Sequence, residues 1–330
     1  MIDRLRIRHF KSIRELDLDC SKVNVFIGEP NTGKSNILEV LGLLSWYSFS
    51  KKNDLKSYVR FNYIQNLFFD DDTSNDIELY LFVDNEEIRL NLHFENNVLE
   101  FHISDPDENT PFHLGINANI QYINPIIKRK EIGRVLYYHF LKQKKFNSPQ
   151  SSFVNPPHGD NFFSVVNSNK KHKEILDSFF EKYGYKVVKK PQDMTFDLLK
   201  LSDDNLISYP YNLTSETLQR IVFYSICIES AKNSTLVFEE PESHAFPYYT
   251  KYLGEKIGRD PTNQYFIATH NPYLLNSIIE KTPKDSIRIF LTYYDNYETK
   301  VKQLSSDEVE EVLTYDPFLN LDHFLEEGKK

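Results

Sequence analysis

The stretch Gly28-Glu29-Pro30-Asn31-Thr32-Gly33-Lys34-Ser35 sets two glycines five residues apart and follows the second with a lysine and a hydroxyl. In such a loop the backbone N–H groups can wrap a row of phosphates. Lys34 can reach the β- and γ-phosphate oxygens, and the Ser35 hydroxyl can hold Mg2+. Only 10 of the 330 residues are glycine, so a chance match to this spacing is rare. Asn36 carries the loop onward, and a helix starting here would point its partial positive charge at the same anion. The implied cofactors are ATP and Mg2+.

A phosphate loop also needs one carboxylate for the metal and another to activate water, both at the end of a buried strand beside it. Leu236-Val237-Phe238-Glu239-Glu240-Pro241-Glu242 supplies them. Successive strand residues point to opposite faces, so the two glutamates divide the work. Glu239 is assigned to the metal and Glu240 to the base. A third group is His270 in Ile267-Ala268-Thr269-His270-Asn271-Pro272, where an imidazole can donate a hydrogen bond to a γ-phosphate.

The elements that must position these groups follow from the apolar pattern. Residues 4–27 read as two strands, with Leu5, Ile7 and Phe10 along the first, Leu16 and Leu18 ahead of the second, and the nearly continuous apolar run 23–27 as a buried parallel strand. After the loop, Ile37, Leu38, Val40, Leu41 and Leu44 recur at helical spacing. Residues 77–83 and 88–94 alternate about the polar Asp84-Asn85-Glu86-Glu87 and predict an antiparallel hairpin. The segment 106–195 reads as an inserted, mainly helical lobe, with helices near 128–145 and 170–183 and no sustained heptads. A helix over 218–231 then leads to a strand at 235–238, a helix near 246–257 and a strand at 265–268. The expected fold is α/β: a mixed-sheet core with an antiparallel β subdomain, divided into an N-terminal half (1–105), the lobe, a C-terminal half (196–285) and a short α/β tail (286–330). The tail offers a strand pair, 287–293 with 300–304, and a helix capped by Ser305 with Glu308.

The composition narrows the classes further. Hydrophobic residues make up 40% of the chain, enough for a real core, and 39 basic against 48 acidic residues leave a net charge of −9. That balance disfavours a protein that coats nucleic acid, so any such contact must be local. Cys20 and Cys227 stand alone, outside any CxxC or Cys/His pattern, which disfavours a disulfide framework and a zinc site. A cytoplasmic location without a membrane span is expected, because no uncharged apolar run reaches the ~18 residues that crossing needs.

The three elements in this order, with about two hundred residues between Lys34 and Glu239, resemble the ABC-type P-loop ATPases of the SMC and RecF kind. The opening Ile7-Arg8-His9-Phe10-Lys11-Ser12-Ile13 adds to the likeness, since such chains begin with an I-x-x-F-K-S strand pair, and it brings Lys11 and Ser12 into the expected nucleotide-binding set. Nearer still is the likeness to stand-alone AAA-type ATPases related to the overcoming-lysogenization-defect family of phage defence. Their Glu-Glu-Pro-Glu-x-His-x-x-Pro is matched by Glu239-Glu240-Pro241-Glu242-Ser243-His244-Ala245-Phe246-Pro247, and their Thr-His-x-Pro-x-x-Leu by Thr269-His270-Asn271-Pro272-Tyr273-Leu274-Leu275. The resemblance covers about 1–95 and 205–280.

That resemblance implies a signature segment completing the site of a second copy. Thr214, Ser215 and Glu216 hold its place without the usual glycines, and Glu216 brings negative charge toward an anion. It also implies a Gln contacting Mg2+, for which Gln65 is the candidate. Family members often add a Toprim-type nuclease after the His strand. The roughly sixty residues after His270 are too few for one, so no nuclease activity is expected in this chain. The implied partners are a homodimer or higher homo-oligomer and a separate effector, which a nuclease would suit. Nucleic acid could reach the basic clusters Lys128-Arg129-Lys130 with Lys142, Lys144 and Lys145, and Lys170-Lys171-His172-Lys173, all in the lobe. Three readings stay open: an ATP-driven switch in anti-phage defence, a DNA-repair clamp, and a transporter ATPase subunit, the last disfavoured by the Phe10-Lys11-Ser12 opening.

Overall fold

The structure, a computed structural model, describes residues 1–49, 55–83, 86–104, 112–117, 134–147, 151–202 and 205–326. Among these residues the strands form three sheets. In the first, β1 (Ile2–Phe10) turns at Lys11 into β2 (Ile13–Asp19), pairing Leu5 with Leu18 and Ile7 with Leu16. The run 4–27 therefore holds three strands rather than two. Leu16 and Leu18 alternate with Glu15, Asp17 and Asp19, and that half-buried pattern makes a strand of its own. Next come β3 (Val23–Gly28) and helix α1 (Lys34–Phe49), followed by β4 (Ile77–Val83), β5 (Glu86–Glu95), β6 (Val98–Ser104) and β7 (Phe112–Asn117). The first sheet is ordered β2-β1-β4-β5-β6-β7, and the expected hairpin is the antiparallel pair β4 and β5, with Asp84 and Asn85 outside the described residues.

The segment 128–145 differs from the helix expected there. Residues 128–133, including the Lys128-Arg129-Lys130 cluster, lie outside the described residues, and β8 (Val135–Tyr138) is a fully buried strand. Its Val-Leu-Tyr-Tyr run has no polar face to give water, so it suits a strand covered on both sides. After β8 come α2 (Phe162–Ser168), α3 (Lys170–Glu181), and β9 (Lys186–Lys190), β10 (Thr195–Ser202) and β11 (Asn205–Pro210), which form a small antiparallel sheet that sequence reasoning did not anticipate. Then follow α4 (Glu216–Ser230), β12 (Thr235–Glu239), α5 (Pro247–Arg259), β13 (Gln264–Ala268), α6 (Pro272–Lys281), β14 (Ile287–Asp295), β15 (Glu298–Gln303), α7 (Ser306–Val312) and α8 (Leu321–Glu326). Ser305 and Glu308 close a capping box at the start of α7.

The central sheet is ordered β15-β14-β3-β13-β12-β8, parallel except for β15. Helix α1 is buried almost all round and lies between this sheet and the first one. Its Trp46 ring meets Phe101 of β6 at 5.1 Å, while Ser45 Oγ accepts from the Tyr137 N–H of β8 at 3.0 Å. On the other side of the central sheet, α4 and the lobe helices bury a second core rich in aromatic rings, including Tyr138, Phe162, Phe196, Phe223 and Phe238. Because β3, β12, β13 and β14 run parallel, the loops at their C-terminal ends converge on one edge, where ligands of open α/β sheets bind. Among the described residues no helix is long and apolar enough to cross a membrane.

Candidate functional site

The glycine loop leaves β3 at Gly28 (φ 142°) and enters α1 after Gly33 (φ 95°), and both conformations disfavour a side chain. Each glycine is also crowded by the C-terminal hairpin. A Cβ on Gly28 would overlap the Thr292 carbonyl oxygen, and one on Gly33 would overlap the Thr299 hydroxyl, with Thr299 Cγ2 at 2.8 Å. Thr32 Oγ1 donates to the Glu29 carbonyl at 2.8 Å and lies 2.7 Å from Thr292 Oγ1. Glu29, Pro30 and Asn31 form the exposed crest of the loop.

Lys34 is buried, and its ammonium donates to the Gly28 and Glu29 carbonyls at 2.9 and 2.6 Å. Burial lowers its pKa to about 8, against the pull of Glu240, Glu239 and Glu29. Ser35, half-buried, starts the helix beside it. Asn36 Nδ2 donates to Ser12 Oγ at 2.7 Å, and Ser12 Oγ lies 2.7 Å from Thr299 Oγ1, so the first hairpin turn, the loop and the tail are pinned together. Lys11, at φ 51°, points instead to the buried Glu39 carboxylate and donates to the Arg60 carbonyl at 2.6 Å.

Glu39 is 1% exposed and carries a second cation, Arg60, whose Nε donates to Oε1 at 2.6 Å. Removing both cations would strand a buried charge. The other end of Arg60 reaches Glu239 Oε1 at 3.3 Å, and the Tyr137 hydroxyl donates to Glu239 Oε2 at 3.1 Å. Burial beside Glu239 and Glu39 holds the Tyr137 phenol well above its ordinary pKa, so it stays a donor. Gln65 sits exposed on the helical turn Ile64–Leu67, and it is Arg60 from this loop that meets Glu239. Sequence reasoning missed Arg60, Tyr137 and Glu39, whose partners lie far off in the chain.

Glu240 follows Glu239 with a left-handed φ of 41°, and its N–H donates to the Ala268 carbonyl at 2.9 Å. This turn lifts its carboxylate to the open edge. Ser243 Oγ donates to Oε2 at 3.1 Å, and His270 Nε2 lies 3.7 Å from Oε1. Burial, together with the Lys34 charge, lowers the His270 pKa despite Glu240, so the imidazole is neutral near pH 7. Lys34, Glu240 and His270 thus form one electrostatic group. Behind them Glu242 is buried and accepts from the Thr269 hydroxyl, while its second oxygen meets no partner among the described residues. Asn271 caps α6 through the Tyr273 and Leu274 N–H groups.

Thr214, Ser215 and Glu216 lie at the start of α4. Thr214 Oγ1 donates to the Tyr211 carbonyl at 2.7 Å, Ser215 is the N-cap residue without a side-chain cap bond, and Arg220 Nη2 donates to Glu216 Oε1 at 3.2 Å. Among the described residues no three His, Cys, Asp or Glu side chains converge as a metal cage. The donors present instead fit Mg2+, which takes one or two protein oxygens and completes its shell with phosphate and water. Glu239 already holds a cation, Arg60. In the lobe, Lys142, Lys144 and Lys145 are exposed, whereas Lys170, Lys171 and Lys173 pair with Glu174, Glu229 and Asp177.

Comparison with known proteins agrees with this geometry. The structure superposes on the SMC head seen in the "Crystal structure of the SmcHead bound to the C-winged helix domain of ScpA" with a TM-score of 0.57 and 15% identity, covering 94% of this chain and 99% of that one. The fold is that of an SMC-head-like P-loop NTPase. A curated relative, "DNA replication and repair protein RecF" of Halothermothrix orenii (strain H 168 / OCM 544 / DSM 9562), is 29% identical over 164 residues, which span 44% of this chain and 40% of the relative. The match to the family described as "AAA domain, putative AbiEii toxin, Type IV TA system" runs over residues 23–276 and takes in the phosphate loop, both glutamates and His270, so the chain belongs to this AAA domain family.

Proposed function

We propose that this chain is a Mg2+-dependent ATPase that acts as a switch: ATP drives its self-association, and the associated form controls a separate effector in anti-phage defence. The observation that supports it most is the meeting of Lys34, Glu240 and His270 at one edge of the sheet, with Glu240 and His270 3.7 Å apart. In this reading the loop from Gly28 to Asn36 binds the triphosphate, Lys34 charges its β/γ oxygens, and Ser12 steadies the loop from the first turn. Ser35 and Glu239 would hold Mg2+, which would supply positive charge against the charge on the phosphates. Glu239, which accepts from Arg60 in this structure, would be the carboxylate offered to that ion. Glu240, the more exposed glutamate, takes the proton of the attacking water, and neutral His270 donates a ring N–H to the γ-phosphate.

The uncapped Ser215 hydroxyl and the first N–H groups of α4 suit contact with a second copy, and the Arg220 bond draws the Glu216 charge aside. The toxin–antitoxin wording of the family description supports a defence role, and in this reading the effector is another polypeptide and the place is the cytoplasm. Lys34→Ala should abolish ATP binding, whereas Glu240→Gln should bind ATP, fail to turn it over, and shift to a larger mass by light scattering with ATP and Mg2+. Turnover by Glu240→Gln at the parent rate would remove the assigned base, and a mass insensitive to ATP would remove the switch.

The RecF relative favours a second reading, a clamp that ATP closes on DNA. DNA-stimulated turnover with a steep salt dependence would select it.

A further inference from the structure

The loop's exposed crest forms one wall of a cavity of about 740 Å3 whose opposite wall belongs entirely to the C-terminal segment, the end of β14 and helix α8. That volume lies within the roughly 300–1,000 Å3 of small-molecule sites. Strand alternation shows which side chains of β14 belong to it. Thr292 contacts Thr32 of the loop, and Thr299, which contacts Ser12, is the cross-strand partner of Tyr294. Thr292, Tyr294 and Thr299 therefore share the face turned to the phosphate loop. The two threonines are used in holding it, while the Tyr294 ring, 52% exposed, is not packed away.

The remainder of this wall is graded. Leu321 and Leu325 of α8 are half-buried and apolar, and Asp322 stands exposed at the rim. A triphosphate is repelled by the Asp322 carboxylate and drawn to Lys34 and the N-terminus of α1, at the other end of the loop. A ribose presents hydroxyl donors, which carboxylates accept, and a base presents a flat face, which a tyrosine ring and leucines cover. The charges thus give an elongated ligand one direction, phosphates inward and nucleoside toward the tail.

We infer that the C-terminal segment is the nucleoside-binding wall of the site, with Tyr294 stacking on the base and Asp322 receiving the ribose. The inference rests on the nucleotide reading above and adds the part of the ligand that the phosphate loop cannot recognise. Nothing in the loop distinguishes ATP from bare triphosphate. The tail does.

Calorimetry with two probes, ATP and inorganic triphosphate, tests this on the full chain. The parent should bind ATP more tightly than triphosphate. Tyr294→Ala should weaken ATP about tenfold, the size expected for losing one base–aromatic stack, and leave triphosphate unchanged, while Tyr294→Phe should keep the parent's ATP affinity. An ATP affinity within twofold of the parent in Tyr294→Ala, or an equal loss for both probes, would overturn the inference. Triphosphate and ATP both failing to bind the parent would overturn the nucleotide reading and this one with it. Triphosphate binding that needs Lys34 but exceeds ATP binding would spare the loop and reject the wall.

Discussion

Exchanging Glu242 for glutamine should stabilise the protein at alkaline pH and leave it nearly unchanged in weak acid. Burial raises this carboxyl from 4.5 to about 7, only partly offset by the Thr269 hydroxyl and the backbone N–H groups of Glu242 and His270. The folded state therefore holds the proton more tightly than the unfolded chain. That contribution is complete below about pH 4.5 and is lost as the pH rises through about 7, where ionising the group in place costs about 3 kcal/mol. A glutamine keeps an acceptor for Thr269 and the His270 N–H, and its amide replaces the oxygen that meets no partner, as the protonated acid would. The gap in unfolding free energy between variant and parent should widen by about 2 kcal/mol between about pH 5 and pH 8.5. Guanidinium titrations can follow it through Trp46, the single tryptophan, which is buried in α1 between the two sheets. A gap that stays constant across this range, or narrows, would refute the reasoning, since every other titrating group is common to both proteins.

Because Lys34 titrates at about 8 when free and must be charged to hold a polyphosphate, ATP binding near pH 8 should take up a proton. Calorimetric enthalpies that do not depend on the buffer's ionisation would contradict this, as would an affinity that fails to fall above about pH 8. Gly33→Ala should destabilise the protein by roughly 1–3 kcal/mol and remove ATP binding, since it meets both a left-handed φ and the Thr299 hydroxyl. Adding Thr299→Ala should recover only part of the stability, because the backbone strain stays, and full recovery in thermal melts would show that the strain is negligible. Arg60→Met leaves Glu239 without its cation, so Mg2+ should support ATP binding at a several-fold lower concentration. An unchanged Mg2+ dependence would mean that the pair is incidental.

The parts of the site legible in the sequence are those written in consecutive residues. The loop from Gly28 to Ser35, the strand end at Glu239 and Glu240 and the His270 turn each carry their own strand and helix context, so local periodicity was enough to place them. The groups that hold them were invisible for the opposite reason. Thr292 and Thr299 look like ordinary strand residues until β14 is laid beside β3, and Arg60 looks like a loop cation until it spans Glu39 and Glu239. Strand β8 falls in a stretch whose sequence reads as helix, because four apolar residues have no period to measure, and only its parallel pairing with β12 decides the matter. The sheet of β9, β10 and β11 is not legible in the sequence, since the Lys-rich β9 and the exposed edge strand β11 offer weak alternation.

The strand that launches the phosphate loop has neighbours that are made very late. β3 lies between β13 and β14, and both emerge from synthesis more than two hundred residues after it. At about 5–20 residues per second, this leaves its apolar run without lateral pairing for tens of seconds. The loop gains the threonines that shape it later still, with Thr292 and Thr299. The phosphate loop therefore takes its full set of contacts only once the tail hairpin has been made and closed on it. A product cut short before β14 would carry the whole phosphate-loop sequence without the two threonines that hold it in shape.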